Sequence, residues 1–385
     1  MKQGEIRLPM CIGLADTPFR FGRNEMKNRM AFALLGVLCN HGLLCQNTES
    51  AMRDGKSQYL IRTIAFYNLE NLFDTRNDSL TLDDDRTPGG ADHWTGPRLA
   101  QKLLHLSQTL AEIGRDMGVN PPDIIGVCEV ENEGLLDTLI QQPALRSFPY
   151  GVVHFDSPDP RGIDVGLLYR QDRFFPEESK SVRLLLYDEA GVRKYTRDQL
   201  IVLGYLDTDF IGILVNHWPS RGGGPIRSRE HRKAAALLQR HLIDSLIYRH
   251  PDIKIISMGD FNDNPKDASL GILSGNSRKN EQSQNRMLYN PLSRAYRRGL
   301  GTLAYRDRWN LFDQILFSGA WRGKAAEGYR FWKAGIFQAD YLKTASGSYQ
   351  GYPFRTYAGG LYQGGYSDHF PVFAYIIRPA GVKAN

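Results

Sequence analysis

Beyond residue 58, short runs rich in Ile, Val, Leu and Phe alternate with polar loops, and spacing within the runs separates two kinds of element. Compact β-branched and aromatic runs bounded by turn residues predict strands over 62–67, 124–129, 150–154, 164–169, 200–206, 210–217, 254–259, 313–317 and 370–376. Two longer stretches have apolar residues every three or four positions and predict helices. One covers 96–114, with the stripe Leu99, Leu103, Leu106, Leu110 and Ile113; the other covers 227–249, where Ala235, Leu238, Leu242 and Leu246 share a face. No repeat of about 20–50 residues interrupts this pattern. One α/β domain over 59–380, preceded by a linker over 46–58, accounts for it.

The chain before the linker reads differently. A basic stretch, Met26-Lys27-Asn28-Arg29, precedes an apolar run over 30–44 broken only by Asn40 and His41. That order predicts a leader over 1–45, with a signal peptide over 26–45, cleavage near Cys45 or Gln46, and export. Met26 is the expected true start, and the large Leu44 before Cys45 disfavours lipidation. No transmembrane segment is expected in the mature chain. Half of the net charge of +6 belongs to residues 1–45, which hold six Lys or Arg against three Asp or Glu, so overall charge does not argue for nucleic acid. Of Cys11, Cys39, Cys45 and Cys128, only the last remains after cleavage. It lies in the apolar run 124–128, where a buried thiol is expected and disulfides have no part.

Polar residues recur where the apolar runs end. Asn68 and Glu70 follow one run, Glu129 another, His217 closes a third, Asp260 and Asn262 follow a fourth, and Asp368-His369 precede a fifth. Strand ends of a rigid scaffold can aim such groups into one pocket. Their oxygen-rich chemistry suits a hard divalent cation, with Asn68, Glu70, Glu129, Asp313 and Asp368 as ligand candidates. GxxxxGK[ST], GxSxG and HExxH are absent, which lowers nucleotide-loop ATPases, α/β-hydrolases and zinc proteases. Gly222-Gly223-Gly224-Pro225 reads as a flexible loop.

Seven segments then carry a resemblance: Tyr67-Asn68-Leu69-Glu70-Asn71-Leu72-Phe73-Asp74, Cys128-Glu129-Val130-Glu131-Asn132, Arg161-Gly162-Ile163-Asp164-Val165-Gly166, Asn216-His217-Trp218-Pro219-Ser220-Arg221, Gly259-Asp260-Phe261-Asn262-Asp263, Phe312-Asp313-Gln314-Ile315-Leu316 and Tyr366-Ser367-Asp368-His369-Phe370-Pro371-Val372. In this order they resemble the endonuclease/exonuclease/phosphatase superfamily, which includes DNase I, abasic-site exonucleases, inositol polyphosphate phosphatases and sphingomyelinases. The first segment is similar to an exported Bacteroidetes-type branch.

The resemblance implies a DNase I-like, four-layered α/β sandwich of two packed mixed sheets flanked by helices. It also implies that Asn68 and Glu129 form a metal-site pair, that Asp368 is a further metal or metal-water ligand, and that Asp260, with Asn262 beside it, activates or orients the attacking water. His369, paired with Asp313, resembles the histidine that contacts the scissile phosphate, and His217 occupies a position held by His or Tyr. Glu70 and Ser220 fall where relatives vary; Arg161 and Arg221 are candidate phosphate clamps.

The expected cofactor is Mg²⁺, with Mn²⁺ or Ca²⁺ as alternatives, and the expected partner is a phosphate-ester substrate such as DNA or RNA, met by a monomer. The arginine-rich stretches 221–249 and 277–309 could form a basic wall for a polyanion, or simply a solvated surface. A phosphodiesterase acting on nucleic acid leads the expected functions. A phosphatase or phosphodiesterase acting on small, inositol or lipid phosphates follows, and a non-catalytic module comes last.

Overall fold

The computed structural model describes residues 51–54, 57–274, 286–323 and 328–380; the expected leader, with Met26 and Cys45, lies outside them. Contacts divide the chain into Met1–Thr48 and Glu49–Asn385, and every described residue belongs to the second unit.

Among the described residues, thirteen strands build two large sheets. The first contains β1 (Ala51–Asp54), β2 (Ser57–Leu72), β3 (Ile124–Val130), β4 (Tyr150–His154) and β5 (Asp164–Arg170). The second takes β6 (Phe174–Val182), β7 (Gln199–Leu206), β8 (Asp209–His217), β9 (Lys254–Asp260), β10 (Leu288–Tyr289) and β11 (Asp313–Ser318), after which β12 (Arg330–Ile336) and β13 (Val372–Pro379) return to the first. The first sheet runs in the order β12, β13, β2, β3, β5, β4, with β1 folded onto the start of β2; the second runs β10, β11, β9, β8, β7, β6. Both are mixed, because β2 pairs in parallel with β3 and β8 in parallel with β9 while their other neighbours are antiparallel. The expected linker is therefore partly strand: Ala51–Asp54 pairs with β2, which already begins at Ser57.

Strand alternation sorts the core into layers. Ile64 and Phe66 of β2 and Val165 and Leu167 of β5 pack with Ile211, Ile213 and Val215 of β8, Ile256 and Met258 of β9, and Ile315 and Phe317 of β11, forming the layer between the sheets. Alternate residues Ala65, Tyr67 and Leu69 face outward onto Leu103, Leu106 and Leu110 of α1 (Gly96–Glu112) and onto α2 (Glu133–Ile140). The outer face of the second sheet is covered by Ala235, Ala236, Ile243 and Leu246 of α3 (Pro225–Arg249) and by α4 (Ala268–Ser274). The buried stripe of α3 is rotated from the expected one, so Leu238 and Leu242 only flank it. The result is a four-layered α/β sandwich. Cys128 is a free, buried thiol, as expected.

No helix among the described residues is long and apolar enough to cross a membrane. The Gly222–Gly224 loop leads into α3 with Pro225 in its first turn, and Gly223 and Gly224 carry the positive φ values that glycine tolerates.

Candidate active site

Four strands place polar residues one step beyond the inter-sheet apolar layer. Ile64 and Phe66 are followed on the same face of β2 by Asn68, Ile213 and Val215 of β8 by His217, Ile256 and Met258 of β9 by Asp260, and Asp313 precedes Ile315 and Phe317 on β11. The two-residue period that builds the core thus carries four functional groups to one rim of the sandwich. Glu129 would face outward by that period. A register shift between Cys128 and Val130, with φ of 61° at Glu129, turns it to the same rim. Positive φ recurs nearby at Glu70, Asn71 and Asn262, so left-handed non-glycine backbone concentrates around this rim.

The groups meet closely. Asn68 Nδ2 donates to Glu129 Oε1 at 3.1 Å and to Asp260 Oδ2 at 3.2 Å, while Asn68 Oδ1 accepts the Glu70 backbone N–H at 2.8 Å. In this arrangement Asn68 aligns two carboxylates. His217 Nε2 lies 3.8 Å from Glu129 Oε1 and 3.7 Å from Asp260 Oδ2. Asp260 Oδ1 accepts the Asn262 backbone N–H at 2.9 Å, and Asn262 Nδ2 donates to the Trp218 carbonyl. His369 Nδ1 lies 2.6 Å from Asp313 Oδ2, and its Nε2 lies 3.9 Å from Asp368. Ser367 Oγ accepts the His369 N–H and donates to the Asn68 carbonyl, tying the segment before β13 to β2.

Electrostatics give the two imidazoles opposite charge states. Burial would lower the His369 pKa, but Asp313, Asp368 and Asp260 outweigh it and hold the ring protonated. Burial, with Arg197, Arg161 and His369 adding to it, pushes His217 well below the ordinary histidine range and keeps it neutral. Burial and the facing carboxylates Asp313 and Glu129 raise Asp260 to about 7, against the pull of His369. Half-buried Asp368 rises to about 6 through desolvation and the charges of Glu70 and Glu129.

This crowded anionic rim fits a hard cation. Ligand atoms of Glu129, His217 and Asp260 lie within 4.8 Å of one another, whereas in the neighbouring cluster of Asp260, Asp313 and His369 the protonated imidazole itself supplies the positive charge. Two buried polar atoms, His217 Nδ1 and Asp313 Oδ1, have no hydrogen-bond partner among the described residues.

Three expectations change. Glu70 already has a cation: its Oε2 accepts the Thr356 N–H and hydroxyl at 2.7 and 2.6 Å and lies 3.3 Å from the buried Lys102 Nζ. Arg221 is committed to the Asp260–Asn262 loop rather than offered as a clamp. Its Nε donates to the Asn262 carbonyl, its Nη2 reaches Asp263 and Asp267 at 3.0 and 2.7 Å, and its plane covers Phe312. Part of the basic wall is internal too, while Arg227, Arg229, Arg294, Arg297, Arg298, Arg306 and Arg308 stay exposed. Arg232 is buried 2.8 Å from Asp263, Arg240 pairs with Asp244 and Arg249 with Glu178, while Arg278 and Lys279 lie outside the described residues. Ser220 is exposed and lines a separate cavity with Arg197, Arg227 and His231, and the half-exposed Arg161 guanidinium lies 3.5 Å from Asp159.

Sequence reasoning missed Lys102, Thr356 and Arg197. Lys102 falls on the apolar stripe of α1 between Leu99 and Leu106, and a lysine in a buried stripe is a usable signal. Buried Arg197, bonded to Asp159 and to the Trp218 carbonyl, follows no such pattern.

Residues 63–378 match the model of the Endonuclease/Exonuclease/phosphatase family, and no curated protein matches. Among solved structures, an endonuclease/exonuclease/phosphatase family protein from Bacteroides thetaiotaomicron is similar at TM-score 0.50 and 17% identity, covering 84% of this chain and 97% of its own. A mannosyl-6-phosphatase from the same species (TM-score 0.48, 17% identity, 82% and 99% covered) and a humanized D. rerio TDP2 (0.48, 15%, 82% and 98%) are also similar. Identities this low speak to the fold alone.

Proposed function

The chain belongs to the endonuclease/exonuclease/phosphatase family, and from that premise we propose that it is a divalent-cation-dependent phosphoric ester hydrolase, Mg²⁺ being the first choice and Mn²⁺ or Ca²⁺ the alternatives. The supporting observation is the meeting of Asn68, Glu129, His217, Asp260, Asp313 and His369 at one rim. Glu129 and Asp368 would hold the cation, with Glu70 and Asn68 fixing the local backbone and carboxylates around them. When bound, the ion neutralises charge on phosphoryl oxygens and acidifies coordinated water.

Each side chain has a task that follows from its surroundings. Asp260 Oδ2 takes a proton from the water as its oxygen bonds to phosphorus, and the ester P–O bond breaks with the departing oxygen leaving as an alcohol after taking a proton from solvent. A pKa raised towards neutrality makes Asp260 a competent base. Protonated His369, held by Asp313, donates from Nε2 to a phosphoryl oxygen. Neutral His217 supplies a hydrogen bond without adding charge beside the cation.

Small phosphate esters are put ahead of DNA or RNA in this reading because Arg221, Arg232 and Arg240 pair with carboxylates of the chain itself, while the exposed Arg229, Arg297 and Arg298 support nucleic acid as the second reading. Export and a monomeric state complete the proposal; the basic stretch and apolar run over 26–44 support export. Hydrolysis of bis-p-nitrophenyl phosphate with added Mg²⁺ tests the reading. An Asp260→Asn variant turning over at the wild-type rate overturns it.

A further inference from the structure

Beside the catalytic rim is a cavity of about 720 Å³ that none of the proposed chemistry uses. One wall is the tip of the hairpin Leu303–Tyr305/Arg308–Asn310, with Tyr305, Arg306 and Asp307. The opposite wall is the loop from Thr344 to Phe354, closed by the Lys343–Pro353 bridge and by the Thr344 N–H bond to the Tyr352 carbonyl.

Two features join this cavity to the centre. Arg355 lines it and places Nη2 4.0 Å from Asp368 Oδ2. A run of rings also leads inward: Tyr349 and Tyr352 lie 5.8 Å apart, Tyr352 and Trp309 5.8 Å, and Trp309 is stacked on Phe370, next in chain to His369. A group bonded to a phosphate at Asp368 and His369 therefore has this cavity within reach.

The lining states what that group must be. Tyr305 and Tyr349 are 63% and 59% exposed and offer aromatic surface to the cavity, with the Arg306 guanidinium 5.2 Å over the Tyr305 ring. Tyr349 and its neighbour Tyr352 are tilted about 50° to each other rather than set parallel, which is poor geometry for a flat stacking platform. Hydrogen-bonding groups stand among apolar ones: Thr344, Ser346 and Ser348 hydroxyls, the Gln363 amide, the Arg306 guanidinium, and an Asp307 carboxylate oriented by the Tyr352 hydroxyl at 2.6 Å. Aromatic faces beside a few placed polar groups fit a compact ring that is apolar on its faces and hydroxylated around its edge.

We propose that this cavity binds the sugar of a phosphorylated carbohydrate, with the phosphate at the catalytic rim and the Arg355 guanidinium at the junction. This deepens the hydrolase reading and rests on it.

Two measurements keep the two ideas apart. Calorimetric titration in chelator with glucose-6-phosphate and with glycerol phosphate reads the cavity without turnover, and hydrolysis of bis-p-nitrophenyl phosphate with Mg²⁺ reads the centre without the cavity. The wild type should bind glucose-6-phosphate at least about tenfold more tightly than glycerol phosphate, and Tyr305→Ala/Tyr349→Ala should remove that difference while leaving bis-p-nitrophenyl phosphate hydrolysis unchanged. Equal affinity for the two phosphates, tighter binding of a nucleoside monophosphate, or a preference that survives both substitutions overturns the sugar site. Loss of the tyrosine-dependent preference with hydrolysis intact leaves the hydrolase standing; sugar binding without any hydrolysis sinks the hydrolase and keeps the cavity.

Discussion

Asp260 and Asp313 are register partners across the antiparallel β9–β11 pair, so two buried carboxylates face each other on one side of the sheet. Like charges in that position repel, and burial with Asp313 raises Asp260 to about 7. Raised above its unfolded value, Asp260 binds its proton more tightly in the native state, so its contribution is fully present below about pH 4 and is lost as pH rises towards 7. In chelator, the thermal midpoint of Asp260→Asn should therefore fall less between pH 4.5 and 6.5 than that of the wild type, about one proton's worth of slope. Parallel slopes by scanning calorimetry would contradict the buried repulsion.

His369 and Asp313 act as one hydrogen-bonded unit. Either alanine replacement should lower kcat by roughly 10²–10⁴-fold, and the double variant should lose little more than the worse single one. Additive losses in log kcat would mean that the two residues work separately.

The anionic rim should depend on its cation. Chelation should abolish hydrolysis and Mg²⁺ or Mn²⁺ should restore it, with Glu129→Gln needing much more metal for half-maximal rate. Titration of metal against initial rate decides this, and an unshifted curve in the variant would remove Glu129 from the ligand set.

Lys102 is the only cation bonded to Glu70 among the described residues, and both side chains are buried. Lys102→Met leaves a buried charge uncompensated and should cost about 3–5 kcal/mol, whereas Lys102→Met/Glu70→Gln should recover most of it. Denaturant unfolding of the three proteins measures the coupling, and equal losses in single and double variants would show that the pair is not coupled.

Arg232→Ala should act on stability, not on salt response, because its guanidinium is sealed against Asp263. The salt dependence of any DNA cleavage should match between variant and wild type, since a residue at a phosphate would change the slope by about 0.9 log units per tenfold in salt on duplex DNA.

The sequence revealed the interior of the sheets better than their margins. β3, β5, β8, β9 and β11 are apolar on both faces because other layers cover both, and each was expected within a residue or two. β6 and β12 were missed, and both are edge strands: β6 carries Pro176, Glu177, Glu178 and Lys180 with a register shift, and β12 carries Arg330 and Lys333. Charge, proline and bulges protect an exposed edge and erase the apolar pattern.

The site followed the same logic. Asn68, His217, Asp260 and Asp313 were legible because each sits on the period of its own strand. The partners of Arg221 and Glu70 were not, since Asp267, Lys102 and Thr356 are brought to them only by tertiary packing.

β13 enters the first sheet between β12 and β2, and the segment just before it delivers Ser367, Asp368 and His369 to Asn68. That strand is the last of the described elements to be synthesised, yet it occupies an inner position of its sheet. Its pairing with β2, about three hundred residues earlier in the chain, is a slow, high-separation closure. If the proposed roles hold, catalytic competence is timed to the end of folding, because His369 reaches Asp313 only once this last strand has paired with β2.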